Sequence, residues 1–304
     1  GTLEVEYTYG QKYAAFPKIS RTGYRFGGWF TGQTTGTQVT EETVCEVTES
    51  DTYYARWEGI TSTVRFDANG GIVEASPITV TYGEDYGTLP TADRPGYTFS
   101  GWYTARDAGE KVLSSTEVEI LADQVLYAQW EQKTYKVTLD GNGGTSSMTS
   151  SSGSTSSVTT RTVNTTYGGT YGGSTGQFPM FSRTGYEFAG FYTEAAGGSE
   201  ITAQSPFLWQ ENRTVYAHWT PKNIVVSFYE DGGSAVGEVQ RVSYKEAYGV
   251  LPVPEKAGYV FDGWRTIRGG STPVTADTVM KKTDGHVLYA AWTPKEYTIT
   301  FDSM

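Results

Sequence analysis

The sequence predicts a mostly β protein, α+β at most, built as a tandem array of four small repeats. The chain has 304 residues, too many for one small domain, and 37% of them are hydrophobic, too many for a disordered chain. Its 23 Tyr and 8 Trp far outnumber its 4 Met and 1 Cys, a balance typical of strands that pair through aromatic side chains. A sequence segment also recurs four times at one spacing, and such a period defines the domain organisation.

The recurring segment reads Gly-Tyr-x-Phe-x-Gly, then two aromatic residues and Thr, and we call it the aromatic strand. It is GYRFGGWFT from Gly23, GYTFSGWYT from Gly96, GYEFAGFYT from Gly185 and, with Arg265 at the second aromatic place, GYVFDGWRT from Gly258. A second segment, which we call the closing strand, reads YARW, YAQW, YAHW and YAAW and ends at Trp57, Trp130, Trp219 and Trp292. Each Gly precedes its Trp by 34 residues (57−23, 130−96, 219−185 and 292−258), and chance does not produce such agreement.

The repeat period sets the predicted domain boundaries. It is 73 residues (96−23 and 258−185), except for 89 (185−96) where a Ser/Thr/Gly-rich insertion adds 16 residues. The predicted domains are repeat 1 (1–58, lacking its first strand), repeat 2 (59–131), repeat 3 with the insertion (132–220), repeat 4 (221–293) and a last segment (294–304). This last segment is predicted to be the first strand of a further repeat or a strand donated to another chain.

Repeat 2 illustrates the predicted elements. Residues 64–71, VRFDANGG, alternate in polarity and end in Asn-Gly, which accepts the positive φ of a type I′ turn, and residues 76–83 are predicted to form the return strand. Alternation along the aromatic strand predicts Tyr97 and Phe99 on one face and Trp102 on the other. The segment EKVLSSTEVEILAD, before the closing strand, fits either a short helix or an irregular crossover.

Charge and composition argue against several functional classes. The net charge of −11 repels phosphates, so no nucleic-acid partner is predicted, and no run approaches the roughly 18 apolar residues of a membrane span. One Cys and two His cannot form a zinc cage, and no carboxylate pair recurs with the aromatic framework. No catalytic, cofactor-binding or metal-ligating residue, no cofactor and no enzyme activity is therefore predicted, and His218 and His286, at variable positions of the repeat, are typical of solvated surface.

The order FDANGG, YG, LP, GYTFSGWYT and LYAQW resembles the Listeria/Bacteroides repeat, also called the internalin B-repeat, in four copies over nearly the whole chain. The resemblance implies small β-grasp-like domains strung together in bacterial surface and secreted proteins, acting as spacers or adhesive modules without a known catalytic role. The sequence departs from the pattern at Phe191, which replaces Trp, and at residues 229–231, where Tyr-Glu-Asp replaces Asp-x-Asn.

The tryptophans are the main candidate site residues. Seven occupy repeat positions and are predicted to be structural core rather than a carbohydrate-stacking platform: Trp29, Trp57, Trp102, Trp130, Trp219, Trp264 and Trp292. Trp209 occurs in one repeat alone and is either core or an exposed ligand contact. Cys45 aligns with Val118, Phe207 and Met280, which predicts a packed thiol.

These observations predict a non-enzymatic, extracellular or cell-surface array that serves as a stalk or filament subunit. Its predicted partners are neighbouring repeats or copies of itself, through an interchain strand that carries Tyr297, Ile299 and Phe301. The alternative is an adhesin whose repeats bind a glycan or a host protein.

Overall fold

The computed structural model of the chain describes residues 3–302 and confirms a mostly β protein. The described residues contain strands and one short 3-10 helix, with no α-helix among them. The chain divides into two compact units, Gly1–Lys133 with repeats 1 and 2, and Thr134–Met304 with repeats 3 and 4. Residues 1, 2, 303 and 304, which belong to the predicted first and last segments, lie outside the described residues.

In the first unit the two repeats have sheets of different size. Repeat 1 contains β1 (Tyr24–Phe30), β2 (Gln38–Val39) and β3 (Tyr54–Gly59), in the order β2-β1-β3. Repeat 2 contains β4 (Thr61–Asp67), β5 (Ile78–Thr81), β6 (Tyr97–Tyr103), β7 (Lys111–Val112) and β8 (Gln124–Gln132), in the order β5-β4-β8-β6-β7. The first strand β4 pairs parallel with the closing strand β8, which pairs antiparallel with the aromatic strand β6. The closing strand of repeat 2 therefore lies at the centre of its sheet.

In the second unit both repeats have the five-stranded sheet of repeat 2. Repeat 3 contains β9 (Thr134–Asp140), β10 (Ser146–Thr149), β11 (Thr155–Val158), β12 (Thr160–Thr166), helix η1 (Gly173–Thr175), β13 (Tyr186–Tyr192), β14 (Glu200–Ile201) and β15 (Arg213–Pro221). Repeat 4 contains β16 (Asn223–Tyr229), β17 (Gln240–Ser243), β18 (Tyr259–Arg265), β19 (Pro273–Val274) and β20 (His286–Pro294). The sheet orders are β12-β9-β15-β13-β14 and β17-β16-β20-β18-β19. The Ser/Thr-rich insertion of repeat 3 forms the separate hairpin β10-β11.

The predicted two-sided aromatic strand is wrong, because each copy contains a β-bulge. In β6 the register with β8 shifts between Phe99 and Gly101, and Gly101 has a φ of +122°. A bulge adds one residue to one strand and so reverses the alternation of faces beyond it. Phe99 and Trp102 consequently lie on the same side, with ring centroids 5.4 Å apart.

The structure also defines two further elements of repeat 2. Asn69 and Gly70 have the positive φ values that were predicted, but the return strand β5 begins only at Ile78, after the connection 68–77. The segment before the closing strand is an irregular crossover, not a helix, and its regular part is the short strand β7.

Each complete repeat encloses its own aromatic core. In repeat 2 the indole of Trp102 is 2% exposed and contacts Phe66 and Phe99, with ring centroids 4.8 Å and 5.4 Å away. Replacing such a buried ring by Ala costs about 3–5 kcal/mol of folding free energy, a large part of the stability of a domain of this size. The aromatic side chains therefore hold the small repeats together.

A buried tyrosine recurs in every core as Tyr13, Tyr86, Tyr171 and Tyr248. The hydroxyl of Tyr86 donates to the side-chain oxygen of Gln124, at 2.6 Å. In repeat 4 the corresponding hydroxyl of Tyr248 lies 2.7 Å from Nε2 of His286. The prediction of a solvated surface side chain is thus wrong for His286, which is half-buried in this contact.

Burial lowers the pKa of His286 because desolvation disfavours the imidazolium form, and the positive charge of Lys282 acts in the same direction. The backbone carbonyl of Asp284 opposes this shift. The folded-state pKa of His286 lies below the unfolded value of about 6.5. The contribution of neutral His286 to the free energy of unfolding is therefore fully present above about pH 6.5 and is lost as the pH falls through the folded-state pKa.

We expect glutamine, which accepts the tyrosine hydrogen bond in repeat 2 as Gln124, to replace His286 and to remove its contribution to the pH dependence of stability. Urea midpoints followed by circular dichroism should fall more between pH 7.5 and pH 5.5 in the wild-type chain than in His286→Gln. The difference between the two proteins isolates repeat 4, because His218 is present in both. Equal pH dependence in the two proteins would show that His286 is not coupled to folding.

Candidate functional site

The closing tryptophan of each complete repeat is covered by the turn that follows the first strand. In repeat 2, Nε1 of Trp130 donates to the carbonyl of Ala68 at 3.0 Å, and a Cβ added at Gly71 would overlap the indole ring. The same two contacts recur at Trp219 with Gly141 and Gly144, and at Trp292 with Glu230 and Gly233. The second glycine of the motif is therefore required by the close approach of the turn backbone to the indole.

The acidic residues of this turn are engaged within the protein. In repeat 2 the carboxylate of Asp67 accepts from the backbone N–H of Asn69 at 2.8 Å and from the guanidinium of Arg106 at 2.6 Å. The Asn69 amide donates to the carbonyl of Ala128 at 3.0 Å. Across residues 3–302 no three carboxylate, imidazole or thiol groups are grouped as metal ligands. The arrangement fits a structural turn held by its own side chains.

The seven repeat tryptophans fall into two classes of burial. Trp102 and Trp264 are buried, and each donates its Nε1 proton to a proline carbonyl at 2.7 Å. The other five are half-buried: Trp29, Trp57, Trp130, Trp219 and Trp292. Each of the seven has at least one aromatic neighbour with a ring centroid within 6 Å, a contact typical of packed side chains.

Repeat 3 fills its core without the buried tryptophan. Phe191 stands at that position, is 3% exposed and packs edge-on against Phe178 at 5.1 Å and Phe181 at 5.5 Å. The position of Phe181 in repeat 3 is occupied in repeat 2 by Ala92, and each of the two side chains packs against the core of its own repeat. The ring of Phe181 therefore compensates for the smaller side chain of Phe191, and the total volume of the core is kept.

Trp209 is the one tryptophan on the surface of its repeat. It is 47% exposed, next to Leu208 at 60%, whereas Phe207 is fully buried. The guanidinium of Arg213 lies 3.5 Å from the ring centroid and also pairs with Glu211 at 2.8 Å. This cation–π contact holds the indole in place while leaving part of it accessible to solvent.

The other candidate side chains do not form a reactive group. Cys45 is buried at 2% exposure in the core of repeat 1. The imidazole of His218 stacks on the ring of Tyr192, with ring centroids 4.0 Å apart. Its Nε2 also hydrogen-bonds the backbone carbonyl of Glu194 at 2.9 Å. Cys45 is therefore a core residue of repeat 1, and His218 is held between an aromatic ring and a backbone carbonyl.

Repeat 1 and the last segment differ most from the common pattern. Among residues 3–58, the buried cluster of repeat 1 consists of Tyr13, Val39 and Cys45, whereas that of repeat 2 has eight buried residues. The indole N–H of Trp29 is buried without a hydrogen-bond partner among the described residues. In the last segment Tyr297, Ile299 and Phe301 are 74%, 74% and 91% exposed and lie outside any strand.

The described residues include no helix that has both the length and the apolar character needed to cross a membrane.

Comparison with known proteins gives consistent matches along the chain. Two relatives from Evansella cellulosilytica are named "Putative Gly-rich membrane protein" and "Putative membrane protein". The first is 30% identical over 94% of this chain and 32% of its own length, and the second 27% identical over 90% and 39%. Internalin H of Listeria monocytogenes is 34% identical over 36% of this chain and 20% of its own length. The chain spans less than half the length of each of these relatives.

The family model of the Listeria-Bacteroides repeat domain matches four stretches, residues 1–56, 63–129, 135–218 and 225–291. These stretches carry the aromatic strands, the closing strands and the turns that cover the closing tryptophans. The chain therefore belongs to the Listeria-Bacteroides repeat family.

Proposed function

We propose that this chain is a non-enzymatic, extracellular segment of a bacterial surface or secreted protein, a stalk or filament subunit that carries tension. The side chains that recur in its repeats are those that pack, cap turns and pair strands. Relatives named as membrane proteins and as an internalin support a place at the bacterial surface.

The parallel pairing of first and closing strands carries the proposal. In repeat 2, β4 and β8 pair in parallel from Val64 opposite Gln124 to Asp67 opposite Tyr127, and β16 and β20 do the same in repeat 4. A chain under tension pulls the start of the first strand and the end of the closing strand in opposite directions. Because these adjacent strands are parallel, the force shears all their hydrogen bonds together, whereas an antiparallel hairpin pulled from its open end separates one pair at a time.

We expect the direction of pulling to decide the resistance of repeat 2. Cysteine handles at Thr61→Cys and Gln132→Cys stress the β4-β8 ladder in shear. Handles at Thr61→Cys and Thr81→Cys, which face each other in the antiparallel β4-β5 pair, provide the matched control. Single-molecule force spectroscopy should record a higher rupture force for the first pair of handles. Equal forces would remove the mechanical basis of the proposal.

The filament form of the proposal uses the last segment as a donated strand. Ile299 and Phe301 align with Val64 and Phe66 of β4, which face the core of repeat 2. In repeat 1, β3 pairs with β1 on one side, and no described strand lies on the other side, where β8 has β4. The last segment of one copy would pair with β3 of the next, giving a head-to-tail interface that propagates.

Truncation after Lys295 is expected to abolish concentration-dependent assembly in light scattering and negative-stain microscopy. Ile299→Asp should act the same way, since it places a charge in the core of the completed repeat. Thr300→Asp is the matched control, because its counterpart Arg65 is exposed and the new charge would face solvent. Assembly that survives truncation would exclude strand donation.

Adhesion is the second candidate function, favoured by the exposure of Trp209 beside Leu208. Stacking on a sugar ring or a host-protein side chain is a common use of an accessible indole. A glycan array probed with the wild-type chain and with Trp209→Ala tests the sugar-binding form. Binding lost in the variant supports this candidate; no binding, or binding that the variant retains, contradicts it.

A further inference from the structure

We infer that repeat 3 binds a carboxylated sugar in a groove between the β10-β11 hairpin and the first residues of β12, with Arg161 receiving the carboxylate. This inference rests on the adhesive candidate function and gives it a ligand class, at a site separate from Trp209.

The groove is built from the insertion of repeat 3. Its volume is about 720 Å³, within the range of about 300–1,000 Å³ that is usual for ligand sites. Met148, which is 45% exposed, and the half-buried Val158 form its apolar part. The rest of the lining consists of four exposed hydroxyl side chains, Ser157, Thr159, Thr160 and Thr162, and of Arg161. The lining therefore carries a single charged group.

Part of the groove comes from an extension of the return strand. The return strand β12 has seven residues, whereas β5 and β17 have four each. Ile78 and Gln240, the first residues of β5 and β17, occupy the register position of Val163 in β12. Residues 160–162 therefore form strand at positions where repeats 2 and 4 have none, and all three of them line the groove.

The β10-β11 hairpin fixes the orientation of Arg161. The Nη1 group of Arg161 donates to the backbone carbonyl of Ser147 at 2.8 Å and lies 3.5 Å from Oγ of Ser146. Both acceptors belong to β10, the first strand of the hairpin. Because the guanidinium is already held beside the groove, less conformational entropy is lost when a ligand binds.

Arg161 has no anionic partner among the described residues. It takes part in none of the ion pairs within residues 3–302, and its Nη2 group has no hydrogen-bond partner there. The sequence between Asp140 and Glu187 contains no acidic residue, although the whole chain has 34 acidic side chains against 23 basic ones. The groove is therefore a local positive site on an acidic protein.

A carboxylate is the anion that suits this site. A guanidinium and a carboxylate form two parallel charge-assisted hydrogen bonds, and Nη2 of Arg161 is available for one of them. Phosphate groups are typically recognised by clusters of arginines, whereas the groove has one. The net charge of −11 repels polyanions, which favours a ligand with one carboxylate.

The rest of the lining fits a sugar better than a peptide. Each hydroxyl of the groove can both donate and accept a hydrogen bond, as the hydroxyls of a sugar do. Met148 and Val158 can contact the apolar C–H face of a sugar ring. An extended peptide would need apolar pockets for its alternate side chains, and the groove has apolar area at these two residues alone.

Ligand-observed NMR on the full chain tests the inference with sialic acid and glucuronic acid as probes. Their carboxamides are the matched ligands, because the same ring then carries no charge. The acids should bind about tenfold more tightly than the carboxamides, since the carboxamides cannot form the charge-assisted pair with Arg161. Equal affinity of acid and carboxamide, or no binding of either acid, would overturn the inference without any variant being made.

Arg161→Gln removes the charge and keeps an N–H donor for the carbonyl of Ser147. Its affinity for the acids should fall about tenfold, to that of the carboxamides. Arg183→Gln is the matched control. Arg183 is the other basic residue between Asp140 and Glu187, donates its Nη1 to the backbone carbonyl of Asn142, and lies outside the groove. It should bind the acids like the wild type, and an equal loss in both variants would overturn the inference, since net charge alone would then explain it.

Further outcomes separate the groove from the functions proposed above. Trp209→Ala should leave the binding of the acids unchanged. If Trp209→Ala abolishes this binding and Arg161→Gln does not, the groove is overturned and sugar binding at Trp209 stands. A short Glu-containing peptide that binds more tightly than either acid overturns the assignment of a sugar. The force measurements on repeat 2 do not involve this groove, so the stalk proposal is tested independently.

Discussion

The structure of each complete repeat depends on the central position of its closing strand. In repeat 2, β8 pairs on one side with the first strand and on the other with the aromatic strand. Its Trp130 lies under the turn that leaves the first strand, and the indole N–H is satisfied by that turn. One strand thus connects the beginning, the middle and the end of the repeat. The core and the sheet of the repeat both follow from this arrangement.

Glycine has two separate roles in bringing backbone against aromatic rings. Within a repeat, Gly71 allows the turn to lie on the indole of Trp130. Between repeats of one unit, Gly23 allows the ring of Tyr82 to lie on the linker-side backbone. In both places the missing side chain of glycine lets an aromatic ring lie flat on the peptide backbone. Such a contact buries a large apolar area while fixing few side-chain torsions. The repeats therefore use aromatic residues both for their cores and for their junctions.

Repeats 1 and 3 depart from the pattern in ways that bear on function. Repeat 3 keeps the common sheet but adds the β10-β11 hairpin and the exposed Trp209, so its additions lie outside the core that Phe191 and Phe181 fill. Repeat 1 keeps the aromatic strand and the closing strand but has a smaller buried cluster, with the indole N–H of Trp29 left unpaired among the described residues. The first departure changes the surface of its repeat, and the second leaves its repeat with a smaller buried cluster among the described residues.

The sequence by itself determined the number of repeats, their period, their family and their mostly β class, because fixed spacing and aromatic content are visible without coordinates. It also identified the tryptophans at the repeat positions. Three features were decided only by tertiary structure. The bulge at Gly101 places Phe99 and Trp102 together, a reversal that alternation cannot reveal. The contact of His286 with Tyr248 joins residues 38 apart, and variation at one position says nothing about that partner. The close approach of the Tyr82 ring to Gly23 depends on two repeats meeting in space, so the physical reason for this recurring glycine is visible only in the folded chain.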